Sequence, residues 1–380
     1  MKDLLKRLIR ADSTPGKGEA AAAEVVADRF ERHGVECHVD RWDEKRANVT
    51  ARVAGAGEQP ALLFVCHLDV VAPGEEAWAH PPFGAVEDDG TIYGRGTTDM
   101  KGGIAAVVAA ICDLVDAKAK LKGDVLFAAT AGEETDSCGA IRLMEDPAWL
   151  AGEKGSPHTA PLLAGIIVPE PTDFCVITAH RGMFWLKITT RGRAVHSSMP
   201  QRGVNAIMSM NRVLGELEHY EVPFEPHPTL GPCSVSVNTI AGGEAMNIVP
   251  DRCTIGVDIR TLPGQDHDAI RYDIERILGR IKADTPQFEA EIAVDRSVAA
   301  LETDEESDFV QAFCAAVDVD LTNVVGFTTD GPHLVPLGAP IVIYGPGKPK
   351  LCHQVDEFIE IAHLEQAVDV FKNVIVRLLT

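Results

Sequence analysis

The chain has no apolar run approaching the ~20 residues that cross a bilayer, so a membrane is not an expected partner. Positive charge is scarce. There are 35 Lys and Arg against 57 Asp and Glu, a formal charge of −22, which leaves no basic footprint for a phosphate backbone and excludes nucleic acid as the expected partner. The acidic excess reads as solubility. The nine cysteines are odd in number and none are spaced C-x-x-C, so neither a disulfide framework nor a thiolate zinc site is expected. A reducing cytoplasm is the simplest location for such a chain. The first segment, MKDLLKRLIRAD, lacks an uninterrupted apolar stretch and reads as an amphipathic surface helix, not a secretory signal. Internal repeats and low-complexity tracts are also missing.

What is present is a globular pattern. Hydrophobic residues make up 46% of 380 residues, enough for two domains with real cores. Helical spacing is expected over 3–10, 17–33, 101–115 and 137–145, and strands over 35–42, 48–53, 61–67, 124–130 and 163–168. This alternation predicts an α/β fold, a sheet covered by helices on both faces. From Arg181 the pattern changes to β-α-β-β-α-β: strands over 183–191, 234–240, 252–260 and 288–295, helices over 203–220 and 267–283. That order is ferredoxin-like. The α/β pattern then returns, with a helix over 307–316, a strand over 340–344 and a helix over 363–379. The expected division is a catalytic domain over 1–179 and 296–380, interrupted by an inserted domain over 180–295.

The stretch 62–103 organises the rest. It runs LLFVCHLDVV, a loop, GRGTTDMKGG, and then an apolar helix. Side chains alternate across a strand, so His67 and Asp69 share a face. A metal-ligating imidazole commonly donates its second N–H to such a carboxylate, which fixes the ring. Asp99 lies among glycines that permit tight turns and close approach. His67 and Asp99 are therefore expected to be ligands of one metal centre. Other polar groups also interrupt apolar segments where strands end: Glu133 and Glu134 after 124–130, Glu170 after 163–168, and His353 in the loop after 340–344. Each alone reads as a surface or turn residue. Together they lie where open α/β sheets form their ligand crevice. Asp99, Glu134 and Glu170 crowded together carry three negative charges, which two divalent ions and a bridging hydroxide would balance. A nitrogen and oxygen donor set without thiolate suits zinc, and also cobalt or manganese. Glu133, left without a ligand role, is then placed to act as general base.

HLDVV, GRGTTDMKGG, AGEET, VPEPTD, GRAVHSSMP and HQVDEFIEI, in that order over about 62–360, resemble the M20 family of zinc peptidases and amidohydrolases. That family includes acetylornithine deacetylases, succinyl-diaminopimelate desuccinylases, aminoacylases and glutamate carboxypeptidases. The resemblance implies a mixed sheet flanked by helices, with the inserted ferredoxin-like domain serving in dimerisation. It implies that His67 and Glu170 hold one metal ion, Glu134 and His353 the other, and Asp99 both. It further implies a cis Asp99–Met100 peptide, Asp69 orienting His67, and Glu133 as base and proton shuttle. His196 would reach into a partner subunit's active site, and Asn247 and Arg260 would contact a substrate carboxylate. For Arg260, a strand-end salt bridge is an equal alternative. The implied function is di-zinc hydrolysis of an N-acyl amino acid, N-acetylornithine first, by a cytoplasmic homodimer. A dipeptidase, carboxypeptidase or desuccinylase of the same family is the alternative, and a silent metal-dependent binding module the alternative from another class. Thr97–Thr98 and the 328–333 loop depart from the family's usual pattern and leave the substrate open. His80 and His333 have no assigned role, and Cys66 and Cys352 read as packing.

Overall fold

The computed structural model describes residues 1–146, 149–150 and 162–380. The chain divides into two compact units, one of Met1–Thr178, Thr303–Asn323 and Thr329–Thr380, the other of Ala179–Glu302 and Val324–Thr328.

The first unit is built on a mixed sheet. Its central strands lie in the order Glu36–Arg41, Ala47–Val53, Val125–Thr130, Ala61–His67, Leu163–Val168 and Ile341–Ile343. The first two pairings are antiparallel and the remaining three parallel. All seven residues of Ala61–His67 are buried, which explains why this strand reads as an apolar run and not as an alternation. Burying a side chain such as Leu62 or Phe64 contributes about 1.5–3 kcal/mol. Helices Lys101–Asp116 and Ile361–Leu379 pack on this sheet, the latter through Phe371, whose ring meets Phe64 edge-on at 5.7 Å. In parallel register His67 pairs with Thr130, so the two strands end level and their loops leave side by side.

A second, three-stranded antiparallel sheet was not readable from the sequence. It runs Phe358–Glu360, Thr91–Tyr93, Val86–Asp88, with Ile359 opposite Ile92. Three-residue strands are too short to display a period of two. Its effect is large, because it brings the segment after His353 against the segment before Asp99.

The second unit holds a four-stranded antiparallel sheet, in the order Ser234–Gly242, Arg252–Arg260, Met183–Arg191, Glu289–Val298. Numbered along the chain these strands stand 2-3-1-4, which together with helices Ala206–Leu217 and His267–Asp284 is the ferredoxin-like arrangement. Its core joins alternate strand residues such as Leu186, Ile188 and Ile255 to Val213 and Ile274 of the helices. The helix expected over 203–220 is shorter, because Asn205 caps it, its side chain accepting the Met208 N–H at 3.1 Å.

Candidate metal centre

His67 closes its strand with its ring buried. Asp69 lies just past the strand end. The His67 Nδ1 is 3.0 Å from the Asp69 backbone carbonyl and 3.6 Å from its carboxylate. That carboxylate has other partners: Oδ1 accepts the N–H groups of Gly132 and Glu133 at 2.9 and 3.0 Å, and Oδ2 that of Glu134 at 2.9 Å. Asp69 therefore grips the turn after Val125–Thr130 as well as facing the histidine. Gly132 is required in this turn. Its φ is +82°, and a Cβ there would lie 2.5 Å from both Arg46 and Asp136.

Asp99 enters on the loop before helix Lys101–Asp116, and the Asp99–Met100 peptide is cis. Close packing sets the first turn of that helix against the turn that carries Glu170, since a Cβ on Gly103 would fall 2.2 Å from the Pro169 carbonyl oxygen. The two Asp99 carboxylate oxygens are divided between two imidazoles. Oδ1 is 3.0 Å from His67 Nε2 and Oδ2 is 3.2 Å from His353 Nε2. His67 Nε2 also lies 3.6 Å from Glu170 Oε1, and His353 Nε2 lies 3.0 Å from Glu134 Oε1. The structure thus brings His67, Asp99, Glu134, Glu170 and His353 together. One donor atom from each of His67, Asp99 and Glu134 lies within 4.8 Å of the others.

Charge in this cluster is out of balance. Burial raises the carboxyl of Glu170 well above its usual range, with Asp99, Glu134 and Asp330 adding and His67 opposing. Burial likewise raises Glu134, with Asp99 adding. Burial also raises Glu133 strongly, against His67 and with help from Asp330, Glu134 and Glu170. Asp99 goes the other way: bonds from His353 and His67 outweigh its burial and hold it well below the carboxylate range. His353 is pushed up to about 10 by Asp99 and Glu134. His67 rises in spite of its burial, through Glu170, Asp69 and Asp99. Imidazoles holding protons between carboxylates that repel one another form a donor set that fits hard or borderline divalent cations, with a cation replacing those protons.

Three polar residues around the cluster were not found from the sequence. Glu357 is buried and accepts the N–H groups of Gly96, Thr98 and Asp99. Arg95 pairs with it at 2.6 Å. Asp330 is buried, with Oδ2 accepting from Thr130 Oγ1 at 3.3 Å, and its charge acts on Glu133 and Glu170. Glu357 and Arg95 lay inside recognised motifs but offered no donor-spacing signal. Asp330 lay in a loop whose match to the family was loose. His80 stacks on Tyr93 at 4.1 Å, and Cys66 is buried, as a packing residue would be.

The remaining expected residues belong to the second unit. His196 is exposed, with Nδ1 2.7 Å from Ser198 Oγ. Asn247 is exposed on the neighbouring turn, its carbonyl accepting the Ser197 N–H at 2.9 Å, so the two loops are tied together. Arg260 ends its strand in a salt bridge to Asp258, Nε to Oδ1 at 3.0 Å.

With this geometry in hand, comparison with known proteins is decisive for the class. The profile of peptidase family M20/M25/M40 matches residues 63–377. The chain belongs to that family, and is a metal-dependent hydrolase of amide bonds. It is 28% identical to a probable succinyl-diaminopimelate desuccinylase of Staphylococcus aureus, over 95% of this chain and 93% of the relative. It is 30% identical to an acetylornithine deacetylase of Myxococcus xanthus, over 96% and 93%. Among solved structures it resembles the aminopeptidase PepT of Bacillus cereus, with a TM-score of 0.78 at 19% identity, covering 100% of this chain and 99% of that one. An M20 metallo-carboxypeptidase of Sulfolobus solfataricus gives 0.78 at 18% identity, with 98% and 97% covered. These two likenesses show the shared fold.

Proposed function

We propose that this protein hydrolyses the amide bond of an N-acyl amino acid, using two divalent ions held by His67, Asp99, Glu134, Glu170 and His353. One observation carries the reading: each carboxylate oxygen of Asp99 faces a different imidazole, the arrangement a shared ligand requires. In this reading His67 and Glu170 serve one ion, His353 and Glu134 the other. A solved M20 peptidase of Bacillus subtilis, similar in fold at a TM-score of 0.71, is described as dinuclear and metal-binding. Bound there, such ions would acidify water and polarise the scissile carbonyl. Zinc suits the donor set best, with cobalt and manganese as alternatives.

The chain's own chemistry centres on Glu133. Its carboxyl is buried, and burial raises it well above the usual carboxylate range, the direction that suits a group that takes a proton from water and returns it to the departing amine. Asp69 holds the Glu133 and Glu134 amides, so it fixes the base relative to the cluster. In the same reading His196 donates to the developing oxyanion in a partner copy's site, and Asn247 and Arg260 take a substrate carboxylate, with Arg260 as a planar fork. Arg260 must then exchange Asp258 for substrate. A homodimer is supported by the edge strand Ser234–Gly242, which exposes Val237 and Ile240. A cytoplasmic location agrees with nine unpaired cysteines.

The curated relatives include a desuccinylase and a deacetylase by name, so both acyl groups belong in the test, with dipeptides as the alternative substrate. The test is a turnover panel of N-acetyl-amino acids, N-succinyl-amino acids and dipeptides, run after chelation and after re-addition of zinc, cobalt or manganese. Metal-dependent turnover of an N-acyl amino acid is expected. Turnover of dipeptides alone would replace the substrate assignment, and turnover that persists after complete metal removal would end the proposal.

A further inference from the structure

We propose that the buried ion pair Arg95–Glu357 is a positioning device that sets Asp99 and His353 at a fixed separation. The inference rests on the reading of those two residues as metal ligands, and adds what holds them in register across more than 250 residues of sequence.

Glu357 is 1% exposed and Arg95 2%. Every oxygen of Glu357 is used: Oε1 accepts the N–H groups of Thr98 at 2.8 Å and Asp99 at 3.1 Å, and Oε2 accepts Gly96 N–H at 3.1 Å and Arg95 Nη1 at 2.6 Å. The carboxylate thus fixes the backbone from which Asp99 projects. Arg95 faces the other loop. Its Nη1 donates to the Gln354 carbonyl at 3.2 Å and its Nη2 to that of His353 at 3.4 Å. The Trp78 ring covers the guanidinium at 5.1 Å, a cation–π contact that excludes water from it. One guanidinium and one carboxylate therefore link the carbonyl of one candidate ligand to the amide of the other.

The pair acts on position more than on bulk stability. A buried ion pair contributes little beyond what well-packed apolar residues would, because both charges are desolvated. And His353 has φ +63°, a backbone region that side-chain-bearing residues seldom enter, so its carbonyl direction must be held by its surroundings. Arg95 is bonded to that carbonyl.

The test uses the full chain stripped of metal. Cobalt is titrated into wild type, Glu357→Gln and Arg95→Lys, followed by absorption and calorimetry, and the melting temperature of each metal-free protein is measured separately. Groups that orient ligands typically cost about 10–100-fold in metal affinity when altered, and that loss is expected for both variants beyond any fall in the folded fraction of metal-free protein. Glu357→Gln, which leaves the buried Arg95 charge unpaired, is expected to melt below wild type, and Arg95→Lys, which keeps the pair's charges, closer to it. Unchanged affinity would overturn the proposal. So would affinity that falls only in step with the folded fraction of metal-free protein. If Glu357→Gln does not fold, Arg95→Lys carries the test, since lysine keeps the charge but not the reach to both carbonyls. Failure of both to fold would assign the pair to folding alone, against the proposal. Wild type that takes up no cobalt would instead refute the metal-centre reading.

Discussion

Asp69 Oδ2 accepts the backbone N–H of Glu134 at 2.9 Å, while the Glu134 side chain reaches His353 at 3.0 Å. The same Asp69 carboxylate takes the two preceding amides, so one buried charge fixes a turn carrying two acidic side chains with different proposed tasks. Replacing Asp69 by Asn turns an NH2 group against at least one of those N–H donors. Hydrogen bonds to a charged group contribute about 1.5–3 kcal/mol, and a loss in that range is expected in denaturant unfolding, together with reduced turnover. Unchanged stability would mean the turn is held by its own backbone bonds.

Glu133 provides the sharpest test of mechanism. General acid–base catalysis contributes about 10²–10⁴-fold, so Glu133→Ala is expected to lose turnover on that scale. The metal content of the purified variant, measured by atomic emission, is expected to equal that of wild type. An active variant would remove Glu133 from the proton path.

Metal uptake should depend on pH with a definite sign. In the metal-free protein Asp99 and Glu134 raise the His353 pKa to about 10. A histidine raised in this way contributes stability below its unfolded value, ~6.5, and loses it as pH climbs through the folded value. An ion must displace that proton, so binding should release protons and tighten as pH rises from neutral towards 10. Calorimetry in buffers of different ionisation enthalpy reads the protons released. A count of zero would contradict the assignment of His353 as a ligand.

Asp99 faces both imidazoles, so its removal should differ from that of any peripheral ligand. Asp99→Ala is expected to abolish binding of both ions, whereas Glu170→Ala is expected to weaken mainly the one beside His67. Stoichiometry from cobalt titration separates these cases. Equal losses in the two variants would argue against a shared role for Asp99.

Much of this was legible from the residues. The strand Ala61–His67 was bounded correctly because an unbroken apolar run ending in a histidine is hard to mistake. The β-α-β-β-α-β order behind the four-stranded antiparallel sheet was legible through its alternating strands and two amphipathic helices. The polar groups at strand ends stood out because each interrupted an apolar run. The role of Asp69 was only half visible: strand alternation related its side chain to His67, but its stronger bonds run to amides more than 60 residues away, which no local pattern encodes. Glu357 escaped notice for the same reason. A carboxylate whose partners are three backbone N–H groups and one guanidinium, all more than 250 residues away, leaves no local pattern for a motif to display. The three-residue strands Thr91–Tyr93 and Phe358–Glu360 were hidden by their shortness, although they set the two ligand loops side by side.

The level ends of Ala61–His67 and Val125–Thr130 limit how such a protein can change. A single residue inserted into or deleted from either strand would carry its loop about 3.3 Å along the sheet and invert which face each following side chain occupies. His67 and Glu134 would then no longer converge, however well the core repacked. Composition in these strands is free to drift among apolar types, but their residue count is not.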